Sequence, residues 1–154
     1  MATVYSVQNT TLTQDDPSDF LKPIEMGGSV RIAYALYEAS SLSAGDVIEM
    51  FRLPDGARVL EGTLTHDALG SSTTLSVGHS AYNNADGTVV ALDVDEFFAA
   101  AASTSITTVA CAVTSALGRN TVIDADKDGY PVTVVLAGAA ATGTIELQML
   151  YVLD

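Results

Sequence analysis

The chain consists of short strand-like runs, and each run ends at a turn signal. Runs rich in β-branched and aromatic residues start after Ser29, and the first two are VRIAYALYEA and DVIEMFRL. The second ends at Pro54-Asp55-Gly56, and Asn83–Gly87 (NNADG) is a similar turn further on. Seven or eight runs at this spacing predict an all-β fold, an antiparallel β-sandwich of the jelly-roll type.

One segment predicts a short helix beside these strands. The sequence DVDEFFAAAAS places acidic residues before a run of alanines, and Asp93 or Asp95 is suited to cap a helix. We therefore expect one helix near Asp95 to Ala102, packed on an edge or an end of a sheet. Its apolar stripe consists of Val94, Phe97, Phe98 and Ala101. A single helix does not fit an alternating α/β fold.

The first run shows the period of two that a β-strand requires. Successive side chains of a strand point to opposite faces of the sheet, so the run divides into two sets. One set contains Val30, Ile32, Tyr34 and Leu36, and the other contains Arg31, Ala33, Ala35 and Tyr37.

Two further runs, ARVLEGTLTHD and TTLSVGHS, are interpreted as a hairpin. Their apolar faces select a register with Leu64 opposite Leu75, Gly62 opposite Val77, and Leu60 opposite His79. In this register His66 and His79 are far apart, so they cannot share a metal ion. Leu64, Leu75 and Val77 are expected in the core.

The N-terminal segment differs from the rest of the chain. Residues 1–28 are polar, contain two prolines and show no sustained period, which predicts an extended arm. The chain has 154 residues, enough for one well-buried domain. We therefore expect an arm over 1–28 and a single β-sandwich domain over 29–154.

Charge and cysteine content exclude several kinds of partner. There are 19 acidic and 6 basic residues, for a net charge of −13, so nucleic acid is not expected as a direct partner. Cys111 is the only cysteine, so no internal disulfide is possible, and we interpret it as an inert buried thiol. No secretory signal or membrane-spanning segment is expected, which predicts synthesis in a cytosol.

An acidic loop, DADKDG, resembles the first half of an EF-hand calcium loop. Asp124, Asp126 and Asp128 occupy positions 1, 3 and 5, and Gly129 occupies position 6. Position 12, which needs a bidentate glutamate, is Val135. Two interpretations remain, a weak calcium site and a glycine-ended acidic turn, and the incomplete ligand set favours the turn.

The sequence contains no catalytic motif. It has no metalloprotease helix, phosphate-binding loop, dinucleotide fingerprint or nucleophile elbow. We therefore expect neither an enzyme nor a cofactor.

Several stretches together resemble small structural proteins of tailed bacteriophages. They are SVRIAYALYEA, VIEMFRLPDGARVLEGTLTHDALGSSTTLSVGH, DEFFAAAAS and GTIELQMLYVL. Several proteins of this kind are decoration or cement proteins of the head. The resemblance implies a β-sandwich that binds the major capsid protein lattice, usually as an oligomer. Because local threefold positions of a lattice favour a closed ring of three, we expect a homotrimer on the capsid surface of the virion, made in the host cytoplasm.

Two functions follow from the resemblance. The first is a decoration protein that stabilises the head, with the arm as its anchor and Phe20, Leu21 and Ile24 as the side chains in contact with the capsid. The second is a β-sandwich binding module of a tail or head fibre, for a glycan or a receptor. The number of copies per particle distinguishes the two.

Overall fold

The computed structural model describes residues 29–111 and 122–153, and these residues form β-strands and turns. The strands are Arg31–Leu42 (β1), Val47–Leu53 (β2), Ala57–His66 (β3), Thr74–His79 (β4), Tyr82–Asn83 (β5), Val89–Val90 (β6), Asp93–Ala102 (β7), Thr107–Cys111 (β8), Tyr130–Ala137 (β9) and Ala141–Leu153 (β10). No helix occurs in these two ranges.

The strands form two four-stranded antiparallel sheets and one small hairpin. The first sheet has the order β1-β10-β3-β8, the second has the order β2-β9-β4-β7, and β5 pairs with β6. When the small hairpin is set aside, the eight long strands follow the orders 1-8-3-6 and 2-7-4-5. This is the double Greek key of a jelly roll, which confirms the predicted fold class.

The core lies between the two sheets. Ile145, Leu147 and Met149 alternate along β10 and are fully buried, as the period-two pattern requires. Leu64 and Val77, which were predicted in the core, are also fully buried, and Leu75 is 1% exposed.

The predicted helix is wrong, because Asp93–Ala102 is the strand β7 at the edge of the second sheet. Alanine propensity is a weak preference, and pairing with β4 satisfies the backbone of this segment instead. The pairing has two register shifts, and the acidic part of β7 passes closely over Gly78. A Cβ atom on Gly78 would overlap the backbone of Asp93 and Val94, so this approach requires glycine.

The predicted hairpin between β3 and β4 is also wrong. β3 lies between β10 and β8 in the first sheet, whereas β4 lies between β9 and β7 in the second. The connection crosses from one sheet to the other and is held by Leu69, whose N–H donates to the Ser103 carbonyl at 3.0 Å. Leu64 and Leu75 therefore meet across the core rather than along one ladder. Both arrangements bury the same side chains, so the apolar pattern alone does not distinguish them.

Candidate interaction surface

The outer face of β1 carries a row of large exposed apolar side chains. Ile32, Tyr34 and Leu36 are 58%, 55% and 54% exposed. They are successive outward positions of a single strand, and Val30 continues the row just before the strand begins. We call Val30, Ile32, Tyr34 and Leu36 the β1 stripe. Contiguous apolar side chains of this size on a surface mark a contact site for another molecule.

The register between β1 and β10 explains why the larger side chains point outward. Ala33 lies opposite Met149 and Ala35 lies opposite Leu147, and both β10 side chains fill the core. Small residues on the inner side of β1 fit beside these large ones. The β1 stripe is therefore directed to the outer face, where the Tyr34 hydroxyl donates to Glu146 at 3.2 Å.

β1 is also an edge strand. Within the part of the chain that the structure describes, it pairs with β10 on one side and with no strand on the other. An unpaired edge presents backbone N–H and C=O groups to a partner. The sequence showed the alternation in β1, but both sets contain apolar residues, so the pattern did not identify the exposed set.

The acidic loop forms a tight turn. The Asp126 carboxylate accepts a hydrogen bond from the Asp128 N–H at 2.9 Å, and its carbonyl accepts one from the Gly129 N–H at 3.0 Å. Gly129 has a φ of +75°, which glycine adopts without strain. Asp124 accepts a hydrogen bond from the Ala85 N–H at 3.0 Å, which joins the loop to the turn before β6.

The three aspartates thus contact different partners. Asp128 pairs with Lys127 at 2.7 Å, and this hydrogen bond is the main reason that the pKa of Asp128 is lowered. Over 29–111 and 122–153, no group of three or more His, Cys, Asp or Glu side chains is placed to hold a metal ion. The hydrogen bonds describe a tight turn, and whether the loop binds calcium stays a prediction for the chelator test.

A buried histidine lies in a group of side chains from the strands β4, β5, β7 and β9. The ring centroid of His79 lies 4.9 Å from that of Tyr130 and 5.3 Å from that of Tyr82. Its Nδ1 donates to the Ser80 carbonyl at 2.9 Å, and its Nε2 lies 3.3 Å from Glu96. The Tyr130 hydroxyl donates to the same Glu96 oxygen. These contacts link β4, β5, β7 and β9.

The pKa of Tyr130 is strongly raised, mainly by burial, and the hydrogen bond to Glu96 raises it further.

The second histidine, His66, lies in the other sheet, where its Nδ1 is 2.8 Å from the Asp67 carbonyl oxygen. The two histidines thus belong to separate environments.

Three predicted interface residues, Phe20, Leu21 and Ile24, lie outside the described residues.

For the described ranges, no helix has the length and hydropathy needed to span a membrane.

Comparison with known proteins shows which molecules share this architecture. No family model and no curated protein matches the sequence. Among solved structures, a chain from the capsid of Ralstonia phage GP4 matches with a TM-score of 0.62 and 27% identity, over 82% of this chain and 86% of that chain.

Two further capsids contain chains of similar fold. A chain of the cyanophage Pam1 capsid matches with a TM-score of 0.55 and 23% identity, over 84% of this chain and 88% of that one. A chain of the acid-stable capsid of Helicobacter pylori bacteriophage KHP30 matches with a TM-score of 0.53 and 19% identity, over 82% and 90%. These matches confirm the resemblance to phage virion structural proteins: over most of its length, the chain has the fold of proteins found in phage capsids.

Proposed function

We propose that the protein is a bacteriophage capsid decoration protein, which binds the outside of the major capsid protein lattice and stabilises the head. The observation that supports this most strongly is the match to a chain from the Ralstonia phage GP4 capsid over 82% of this chain. A structural role without catalysis agrees with the same match.

Stabilisation follows from preferential binding. A protein that binds the assembled lattice and not separated capsid subunits lowers the free energy of the assembled state. At a free concentration about 100 times the Kd, each site contributes about 2.7 kcal/mol. Many such sites on one head add to a substantial resistance to heat and internal pressure.

The charge of the chain suits attachment to an outer surface. A net charge of −13 repels the phosphates of packaged DNA and attracts basic patches of a capsid surface. Carboxylates such as Glu49, Glu61 and Asp95 are exposed on several strands of the domain. We therefore assign the protein to the outside of the shell.

The anchor in this proposal is the N-terminal arm, residues 1–28. Phe20, Leu21 and Ile24 form a short apolar cluster in the second half of this segment, and they contact the capsid surface while the sandwich stays folded. The oligomer is a homotrimer at local threefold positions, because a closed ring with matching symmetry engages three equivalent sites together. Joining three arms increases the overall affinity without any new kind of contact.

The arm is tested on purified heads that lack the protein. Heads are incubated with the full chain, with a chain lacking residues 1–26, and with a Phe20→Ala, Leu21→Ala, Ile24→Ala variant. We expect only the full chain to bind at high occupancy and to raise the temperature at which heads release DNA. The matched control is Val4→Ala, Val7→Ala, Leu12→Ala, which shortens three apolar side chains of the same arm and should still bind.

Two outcomes would contradict the proposal. Full occupancy by the truncated chain would exclude the arm as the anchor. A full chain that leaves the heat resistance of heads unchanged, and that is present in only a few copies per particle, would exclude decoration and support the fibre-module function.

A further inference from the structure

Among the described residues no strand pairs with the outer edge of β1, and between Ile32 and Tyr37 this edge lacks the features that protect edge strands. Natural edge strands carry inward-pointing charges, prolines or bulges that prevent pairing with another chain. β1 pairs regularly with β10 from Arg31 to Ala39, and its register shift comes only after Ala39, near Ser41, which has a φ of +56°. From Ile32 to Tyr37 the strand contains no charged residue and no proline. A regularly paired, uncharged edge of this length is suited to bind another strand.

The sequence of β1 is nearly symmetric about Tyr34. Ala33 and Ala35 flank it, and Ile32 and Leu36 follow on either side. An antiparallel pair of such strands places each residue opposite a residue of similar size. We propose that two copies of the chain pair antiparallel through their β1 edges about a twofold axis at Tyr34, so that two four-stranded sheets become one sheet of eight strands.

The register follows from the two faces of the sheet. A twofold axis perpendicular to a sheet keeps outward side chains outward, so Ile32 lies opposite Leu36 of the second copy, and Tyr34 lies opposite the same residue of the second copy. On the inner side, Arg31 lies opposite the ring of Tyr37, a favourable cation–π pair that forms twice.

Neighbouring registers fit less well. In the proposed register Glu38 lies opposite Val30, which precedes the strand; a shift of two residues in one direction places Glu38 opposite Ile32 instead, so that a carboxylate faces an apolar side chain within the strand. A shift in the other direction places Leu36 opposite Val30, which lies before the strand begins, and it separates Arg31 from Tyr37.

Charge favours this edge over the β7 edge of the second sheet. Two copies of a chain with a net charge of −13 repel each other wherever carboxylates meet. The β7 edge carries Asp93, Asp95 and Glu96, all exposed, and would repel a second copy. The β1 edge between Ile32 and Tyr37 has no such charge, so it permits close approach.

This contact does not depend on capsid binding, and it is separate from the threefold contact proposed above. On a lattice, it would join neighbouring trimers across twofold positions. The pairing can therefore be tested on the purified chain, and its failure leaves the test of decoration on heads unaffected.

Disulfide trapping measures the contact directly. In the proposed register, the Cα atoms of the two Tyr34 positions are about 4.5–5.5 Å apart, within the range that a disulfide spans. We expect Tyr34→Cys to form a covalent dimer when oxidised glutathione accepts the two thiol electrons. The native Cys111 does not interfere, because burial raises its pKa to about 12. Ile106→Cys, at the most exposed apolar side chain outside β1, is the control and should stay monomeric on a denaturing gel.

A second set of variants keeps Tyr34 in place and tests the register. Ile32→Cys combined with Leu36→Cys should give dimers, since the two positions lie opposite each other across the axis. Each single variant should give few dimers, because equal positions are then about 13 Å apart along the strand. Three results would overturn the proposal. The double variant and Tyr34→Cys could both remain monomeric, or Ala33→Cys could form dimers as fast as Tyr34→Cys. Dimers that form only after residues 1–28 are deleted would place the arm on this edge.

Discussion

β1 and β9 have similar proportions of apolar residues but occupy opposite environments. β9 is a central strand of the second sheet, and its residues from Tyr130 to Val134 are buried on both faces. β1 is an edge strand whose larger side chains face outward. We infer from this difference that the fold depends mainly on the strands at the centre of each sheet, whereas the exposed side chains of β1 serve contacts with other molecules.

The largest expected effect comes from making the same substitution, leucine to alanine, in each of the two strands. Leu136→Ala in β9 removes a fully buried side chain and should lower the free energy of unfolding by about 2–5 kcal/mol. Leu36→Ala in β1 makes the same change at a side chain that is 54% exposed and should cost about 0.5 kcal/mol or less. Chemical denaturation of both variants measures the difference. Equal losses would show that β1 is as important to the fold as β9.

Gly78 tests the close approach of β7 to β4. Gly78→Ala should lower the free energy of unfolding by about 1–3 kcal/mol, because the new methyl group overlaps the backbone of Asp93 and Val94, which cannot rotate away. Gly62→Ala is the comparison, since its new Cβ atom would lie no closer than 2.8 Å to a neighbour, the Cys111 Sγ atom, whereas that of Gly78→Ala would lie 2.0 Å from the Asp93 carbonyl oxygen. A smaller loss for Gly78→Ala than for Gly62→Ala would contradict the position of β7.

Tyr130 should make the stability of the second sheet sensitive to alkaline pH. Its pKa is raised above the usual 10.0 by burial and by Glu96, so the folded state favours the protonated phenol. This contribution is complete below pH 10 and is lost progressively as the pH rises above 10. We expect wild-type stability to fall more steeply than that of Tyr130→Phe between about pH 10 and 11. Tyr34→Phe, at an exposed position of β1, should retain the steep fall, and a parallel decline for wild type and Tyr130→Phe would contradict the burial of this phenol.

The smallest expected effect concerns the acidic loop. A calcium chelator should leave the melting temperature unchanged, because Asp124, Asp126 and Asp128 each accept a hydrogen bond within the protein. Asp126→Ala should still cost about 1 kcal/mol through loss of the turn hydrogen bond. A melting temperature that falls in chelator for the wild type, and not for Asp126→Ala, would establish the calcium site.

The sequence predicted the fold class well because period-two alternation is a local signal. Leu64, Leu75 and Val77 were placed in the core correctly, although the strands that carry them were paired incorrectly. Pairing partners are far apart in the chain, and the apolar pattern is the same whether two strands lie side by side or face each other. The segment near Asp95 to Ala102 was predicted as a helix because alanine propensity acts locally, whereas the edge of β4 that pairs with this segment is distant in sequence.

The candidate surface was harder to predict than the core. Both sides of β1 contain apolar residues, and only the register with β10 shows that Ala33 and Ala35 face inward. The predicted anchor residues Phe20, Leu21 and Ile24 lie outside the described part of the chain, so their role remains a prediction.

The most direct test of the central claim is a cryo-EM reconstruction of heads purified from a phage that encodes this chain. Our account predicts jelly-roll density in many copies on the outside of the lattice at local threefold positions, with residues 1–28 along the capsid surface. A lattice without this density, or density confined to a fibre or to the tail, would contradict it.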